Sequence, residues 1–159
     1  MKNKKILITA VIVLTLAVIL TAVACEKAVD QLDLTLSYAG ECTSLKVEVA
    51  KDEQVVYVYD NGKVTDEYDL GIDVSAIVAK AGENGLRLKK SDFKDGFQFK
   101  IEGNKASLSG QFADAAKLIG VNATVNVSIK ADLEAKSVSE YKVSYTDAGG
   151  YDVVITLSK

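Results

Sequence analysis

Histidine is absent from all 159 residues. That absence removes Ser-His-Asp and Cys-His catalysis and every metal site that needs an imidazole. Cysteine is nearly absent, with two positions, Cys25 and Cys42. Two cysteines allow one disulfide at most, and only where the compartment is oxidising and both thiols are free. Beyond Lys2, Lys4 and Lys5, the only cluster of basic residues is Arg87-Leu88-Lys89-Lys90. Nucleic acid therefore finds no electrostatic footprint, and Lys89 and Lys90 read as a solvated edge.

What is present begins with an unbroken apolar run from Ile6, behind the three lysines, that ends in Thr21-Ala22-Val23-Ala24-Cys25. A basic start, an apolar region and small residues at a cleavage point are the parts of an export signal. This ending resembles the lipobox of bacterial lipoproteins, with Ala24 and Val23 before the cysteine and Ala22 where the family most often has Leu. The resemblance implies that the Cys25 thiol carries a diacylglyceryl group and becomes the mature N-terminus. The chain would then be a lipoprotein anchored in the cell membrane and facing outside the cytoplasm. One acyl chain holds a protein marginally and two hold it stably, and one modified cysteine carries enough. Two alternatives stay open, a retained membrane anchor and simple secretion. Ile6 to Ala24 is 19 residues, which at ~1.5 Å each nearly cross a ~30 Å hydrocarbon core. All three readings put the residues after 25 outside the cytoplasm. A lipidated Cys25 leaves Cys42 as an unpaired thiol, buried as a small apolar group, whereas a free Cys25 permits a Cys25–Cys42 disulfide.

Three of the 19 basic residues and none of the 22 acidic ones lie in residues 1–24, so the remainder has 16 against 22 and a net charge of −6. From Cys25 onward there are 135 residues, a normal size for one domain with one core. The expected organisation is a signal or anchor over 1–24, a tether over 25–31 and a single α+β domain over 32–159.

Period-2 alternation marks the strands. It runs through Leu32, Leu34, Leu36 and Tyr38, then through Leu45, Val47 and Val49. Val55-Val56-Tyr57-Val58-Tyr59 has no polar residue, which predicts cover on both faces, and Asp60-Asn61-Gly62-Lys63 predicts a type I′ hairpin into Val64–Leu70. At Asp73 the period becomes helical. Asp73 caps a short helix that buries Val74, Ile77, Val78 and Ala81 and ends at a left-handed Gly82. Leu86 and Leu88 suggest one more strand. A hairpin through Phe97, Phe99 and Ile101, turning at Gly103-Asn104 into Ala106 and Leu108, leads to a second helix with Phe112, Ala115, Ala116 and Ile119 on one face and Gly120 at its end. Hairpin then helix thus occurs twice, a weak internal repeat. A three-strand meander closes the chain, through Val125 to Ala131, Tyr141 to Tyr145 and Tyr151 to Leu157.

Side chains that carry chemistry are scarce. Asp66, Glu67, Asp69 and Asp73 fit no calcium-loop pattern and read as a solvated acidic turn. Nothing in the pattern sets two carboxylates in a cleft for glycoside hydrolysis. Ser91 beside Lys89 and Lys90 is ordinary loop composition. No catalytic residue, metal ligand or cofactor is implied, and the chain reads as a non-enzyme.

The fold class is therefore α+β, a curved antiparallel sheet of about eight strands packed on two short helices. With its closing strands Val138 to Tyr145 and Tyr151 to Ile155, this arrangement resembles the half-barrel of the lipoprotein carriers LolA and LolB and related acyl-binding lipoproteins. The resemblance implies a concave apolar face that holds an acyl chain or other apolar ligand. The face expected from the alternation comprises Tyr57, Tyr59, Tyr141, Val143, Tyr145, Val153 and Ile155. The alternative is a protein-interaction or envelope-structural module with a solid core.

Overall fold

The computed structural model describes residues 28–65, 73–82 and 86–159. The apolar run with Cys25, and the acidic residues Asp66, Glu67 and Asp69, lie outside the described residues. The chain divides into two compact units, Met1–Leu32 and Asp33–Lys159. The second unit contains every described strand.

Its frame is one eight-stranded antiparallel sheet, so the architecture is α+β. The strands are β1 (Ser44–Lys51), β2 (Gln54–Asp60), β3 (Lys63–Thr65), β4 (Gln98–Glu102), β5 (Lys105–Gln111), β6 (Asn126–Asp132), β7 (Ser137–Thr146) and β8 (Asp152–Ser158). Their spatial order is β3-β2-β1-β8-β7-β6-β5-β4. The first three strands form one flank and the last five the other, joined where β1 pairs with β8. The chain must therefore pass from the β3 edge to the β4 edge between residues 65 and 98. That crossing carries helix α2 (Val74–Gly82) and the buried side chains of Leu86, Leu88 and Phe93.

The turn chemistry follows the sequence where the backbone demands it. Asn61 and Gly62 take φ of 46° and 90°, both positive as a type I′ turn requires. Each meander strand buries alternate residues, as an antiparallel sheet with one wet side should. The wet side carries ion pairs, among them Glu140 between Lys130 and Lys142.

Five expectations need correction. The first strand, through Leu32 to Tyr38, is a helix: residues 28–39 form α1, which begins inside the segment read as a tether. Burial falls on Leu32, Thr35, Leu36 and Ala39, while Leu34 is 45% exposed. That spacing of three and four is helical. A seven-residue window of alternating leucines satisfies either period, and the longer stretch of leucine, alanine and glutamine favours the helix. The strand through Leu86 and Leu88 does not form; both residues are buried in irregular backbone, with Leu86 at φ 41°. No residue of Val55–Tyr59 is buried and Val55 is 55% exposed, so β2 lacks the cover expected on both faces. Gly82 ends α2 without a left-handed φ. The second predicted helix, α3 (Ala115–Ile119), starts after Phe112, whose N–H instead bonds the Val125 carbonyl at 3.0 Å.

The helix ends explain themselves. Asp73 Oδ1 accepts the Ala76 N–H at 2.9 Å and Asp114 Oδ1 accepts the Lys117 N–H at 3.0 Å, the side-chain caps that orphan first-turn donors require. Gly120 closes α3 at φ 76°. At the far edge Phe93 stacks at ring-centroid distances of 5.7 Å from Phe97 and 6.2 Å from Phe112. Gly110 makes room for this cluster, since a methyl there would come within 2.7 Å of Phe97 Cβ.

Candidate functional site: the helix-covered sheet face

Strand register places every residue of the expected ligand face on one side of the sheet. Tyr59 is opposite Val47, Val47 opposite Ile155, and Ile155 opposite Val143. One pleat along, Tyr57 is opposite Val49, Val49 opposite Val153, and Val153 opposite Tyr145. Tyr141 stands two residues from Val143 on β7. Directly paired residues share a face, so the seven are brought together.

They are not equally available. Tyr141, Val143, Val153 and Ile155 are 0% exposed and form the floor of a packed core, whereas Tyr57 and Tyr59 are half-buried on β2. Tyr145 is the exception among the buried ones. It is 5% exposed yet lines an open-mouthed pocket of about 280 Å³ between α2 and α3. Ile77 from α2 and Ile119 from α3 supply apolar walls, and the exposed Asp73 and part-exposed Ala123 and Asp147 line the pocket toward solvent, at its mouth.

Local sequence explains each wall. α2 presents Val74, Ile77 and Ala81 inward at helical spacing and packs against α3 and β1. The turn after β7 is pinned by Asp147, whose Oδ1 accepts the Gly149 N–H at 2.9 Å and the Tyr151 N–H at 2.8 Å. Asp147 therefore stays at the pocket instead of swinging into solvent.

Two tyrosines one helical turn apart in number, but on one strand face, meet different environments. The Tyr141 hydroxyl donates to the Leu86 carbonyl at 2.8 Å within the core. The positive φ of Leu86 marks the backbone conformation from which that carbonyl reaches the ring. Burial pushes the Tyr141 hydroxyl well above its ordinary pKa. The Tyr145 hydroxyl is also buried and has no hydrogen-bond partner. Burial, with the Asp147 carboxylate nearby, pushes its pKa up to about 12, so it remains a neutral phenol under ordinary conditions. An unsatisfied buried hydroxyl costs free energy, and this one belongs to a residue that lines the pocket. The sequence pattern placed Tyr145 on the correct face but carried no sign that its hydroxyl lacks a partner.

Cys42 is a buried free thiol whose pKa is raised, chiefly by burial. Among the described residues no three acidic or thiol side chains gather as a metal site, and no helix is long and apolar enough to cross a membrane. No family model, no curated protein and no solved structure matches this chain.

Proposed function

We propose that the chain is a membrane-tethered, extracytoplasmic lipoprotein with no catalytic role, held in the cell membrane by lipid on Cys25, whose folded unit binds a small apolar ligand under α2 and α3. The tether rests on the small-residue-Cys ending behind an apolar run. The binding role rests on the pocket beside Tyr145, which is concave, walled by isoleucines and floored by the sheet, as ligand sites usually are. Its 280 Å³ lies just below the usual ~300–1,000 Å³ range, which suits a short ligand better than a full acyl chain.

A second reading has its own support. The packed centre of the face, at Tyr141, Val143, Val153 and Ile155, with Val55 and Val64 left 55% and 43% exposed, suits a solid interaction or envelope-structural module. A neutral apolar dye separates the two. N-phenyl-1-naphthylamine should bind residues 26–159 saturably, and Ala123→Phe, which fills the mouth, should abolish that binding with the circular dichroism spectrum unchanged. No saturable binding leaves the interaction module as the account. For the tether, Cys25→Ala should abolish acyl labelling and block signal cleavage; equal labelling of both proteins contradicts it.

A further inference from the structure

The pocket beside Tyr145 has a charge character that an acyl-binding face does not need. Among the described residues its lining includes Asp73 and Asp147 and no lysine or arginine. The adjoining depression, which shares Tyr145 and Asp147, adds Asp152 and, among the described residues, no basic side chain. α2 begins at this pocket, and a helix start would ordinarily welcome an anion. Here the first-turn N–H of Ala76 is already taken by Asp73 Oδ1 at 2.9 Å, so a carboxylate occupies that end of the helix. An incoming carboxylate would meet two of its own kind and, among the described residues, no counter-charge, and like charges repel most where water is sparse. Among the described residues, the one buried side-chain polar atom without a hydrogen-bond partner is Tyr145 Oη, on a residue that lines this pocket. A phenol oxygen accepts as well as donates.

We infer, building on the ligand-binding reading, that this pocket selects a short aliphatic amine: an alkyl chain between Ile77 and Ile119, with an ammonium that donates to Tyr145 Oη and faces the carboxylates of Asp73 and Asp147. Each part of the ligand answers a feature of the site. The alkyl chain replaces water against isoleucine. One ammonium proton satisfies the orphan oxygen, and the remaining two are left for the carboxylates at the mouth. The raised pKa of Tyr145 keeps the phenol neutral across the range in which an alkylamine is charged, so the assignment needs no proton transfer. A carboxylate ligand of the same length fills the same apolar space and can accept from the Tyr145 hydroxyl, but its charge faces the carboxylates of Asp73 and Asp147.

The test uses the full chain in lipid nanodiscs, followed through the backbone amide NMR signals of Gly120, Asn122 and Asp147, which report on the pocket and not on partition into lipid. Three six-carbon probes are titrated at pH 7: hexylamine, 1-hexanol and hexanoate. Hexylamine should shift these amides saturably, with 1-hexanol weaker and hexanoate at least about tenfold weaker. Tyr145→Phe should weaken hexylamine about tenfold, the scale of a hydrogen bond to a charged group, while leaving 1-hexanol within about fivefold. Asp73→Asn, which keeps an oxygen for the cap, should narrow the gap between hexylamine and hexanoate. Hexanoate or 1-hexanol binding as tightly as hexylamine, or an unchanged hexylamine affinity in Tyr145→Phe, overturns the amine assignment and leaves an apolar pocket. No shift with any probe overturns the pocket reading along with it.

Discussion

Tyr141 and Tyr145 stand on the same strand, on the same face, both nearly inaccessible, and they mark two ends of the structure built on different terms. At the Tyr141 end an irregular stretch crosses the sheet with Leu86 and Leu88 buried and its carbonyl accepting the tyrosine hydroxyl. That end is closed, with its polar group satisfied. At the Tyr145 end two short helices of nine and five residues cover the sheet incompletely, and a hydroxyl is left without a partner. The difference shows that equal burial can leave two polar atoms on different terms. What separates them is whether the polar atom has been provided for by the chain itself.

The largest disturbance of this contrast comes from the roof of the open end. Ile119 is 0% exposed, and Ile119→Asp places an unpaired carboxylate there, at a cost of more than about 3 kcal/mol. The domain should unfold or release α3, with a thermal midpoint lowered by well over ten degrees. A midpoint within a few degrees of wild type would mean that α3 does not cover the sheet.

Alkaline pH sharpens the comparison next. Both tyrosines have raised pKa values in the folded state, Tyr145 at about 12 against an ordinary 10.0. The unfolded chain therefore releases these protons first, and the stability they protect is complete below about pH 10 and falls as the pH rises toward 12. Urea midpoints measured from pH 9 to 12 should decline, and the decline should be shallower in both Tyr141→Phe and Tyr145→Phe. An equal slope in wild type and the double variant contradicts the burial of these hydroxyls.

Much of the frame was legible because single residues carry strong local demands. Asn61-Gly62 announces its hairpin since few other pairs accept two positive φ angles. Asp73 and Gly120 mark helix ends for equally local reasons. Other parts were hidden by physics that a short window does not hold. The alternating leucines of α1 satisfy two periods at once, and only the longer stretch resolves them. Asp52 and Glu53 turn between β1 and β2 with φ of 50° and 65° and no glycine to signal it. The contrast between the two tyrosines was the least visible of all, because the carbonyl that satisfies Tyr141 lies 55 residues away in sequence. Alternation gave their common face and nothing about their partners.

The most direct test of that contrast is a pair of urea unfolding curves for Tyr141→Phe and Tyr145→Phe, both measured on residues 26–159 at pH 7 without ligand. Tyr141→Phe strands the buried Leu86 carbonyl and should cost about 1–3 kcal/mol, whereas Tyr145→Phe removes a hydroxyl that bonds nothing and should leave stability unchanged or slightly raised. Equal losses in the two variants would mean that Tyr145 is a satisfied core residue like its neighbour, and that the open end of the sheet holds no vacant polar group for a ligand to meet.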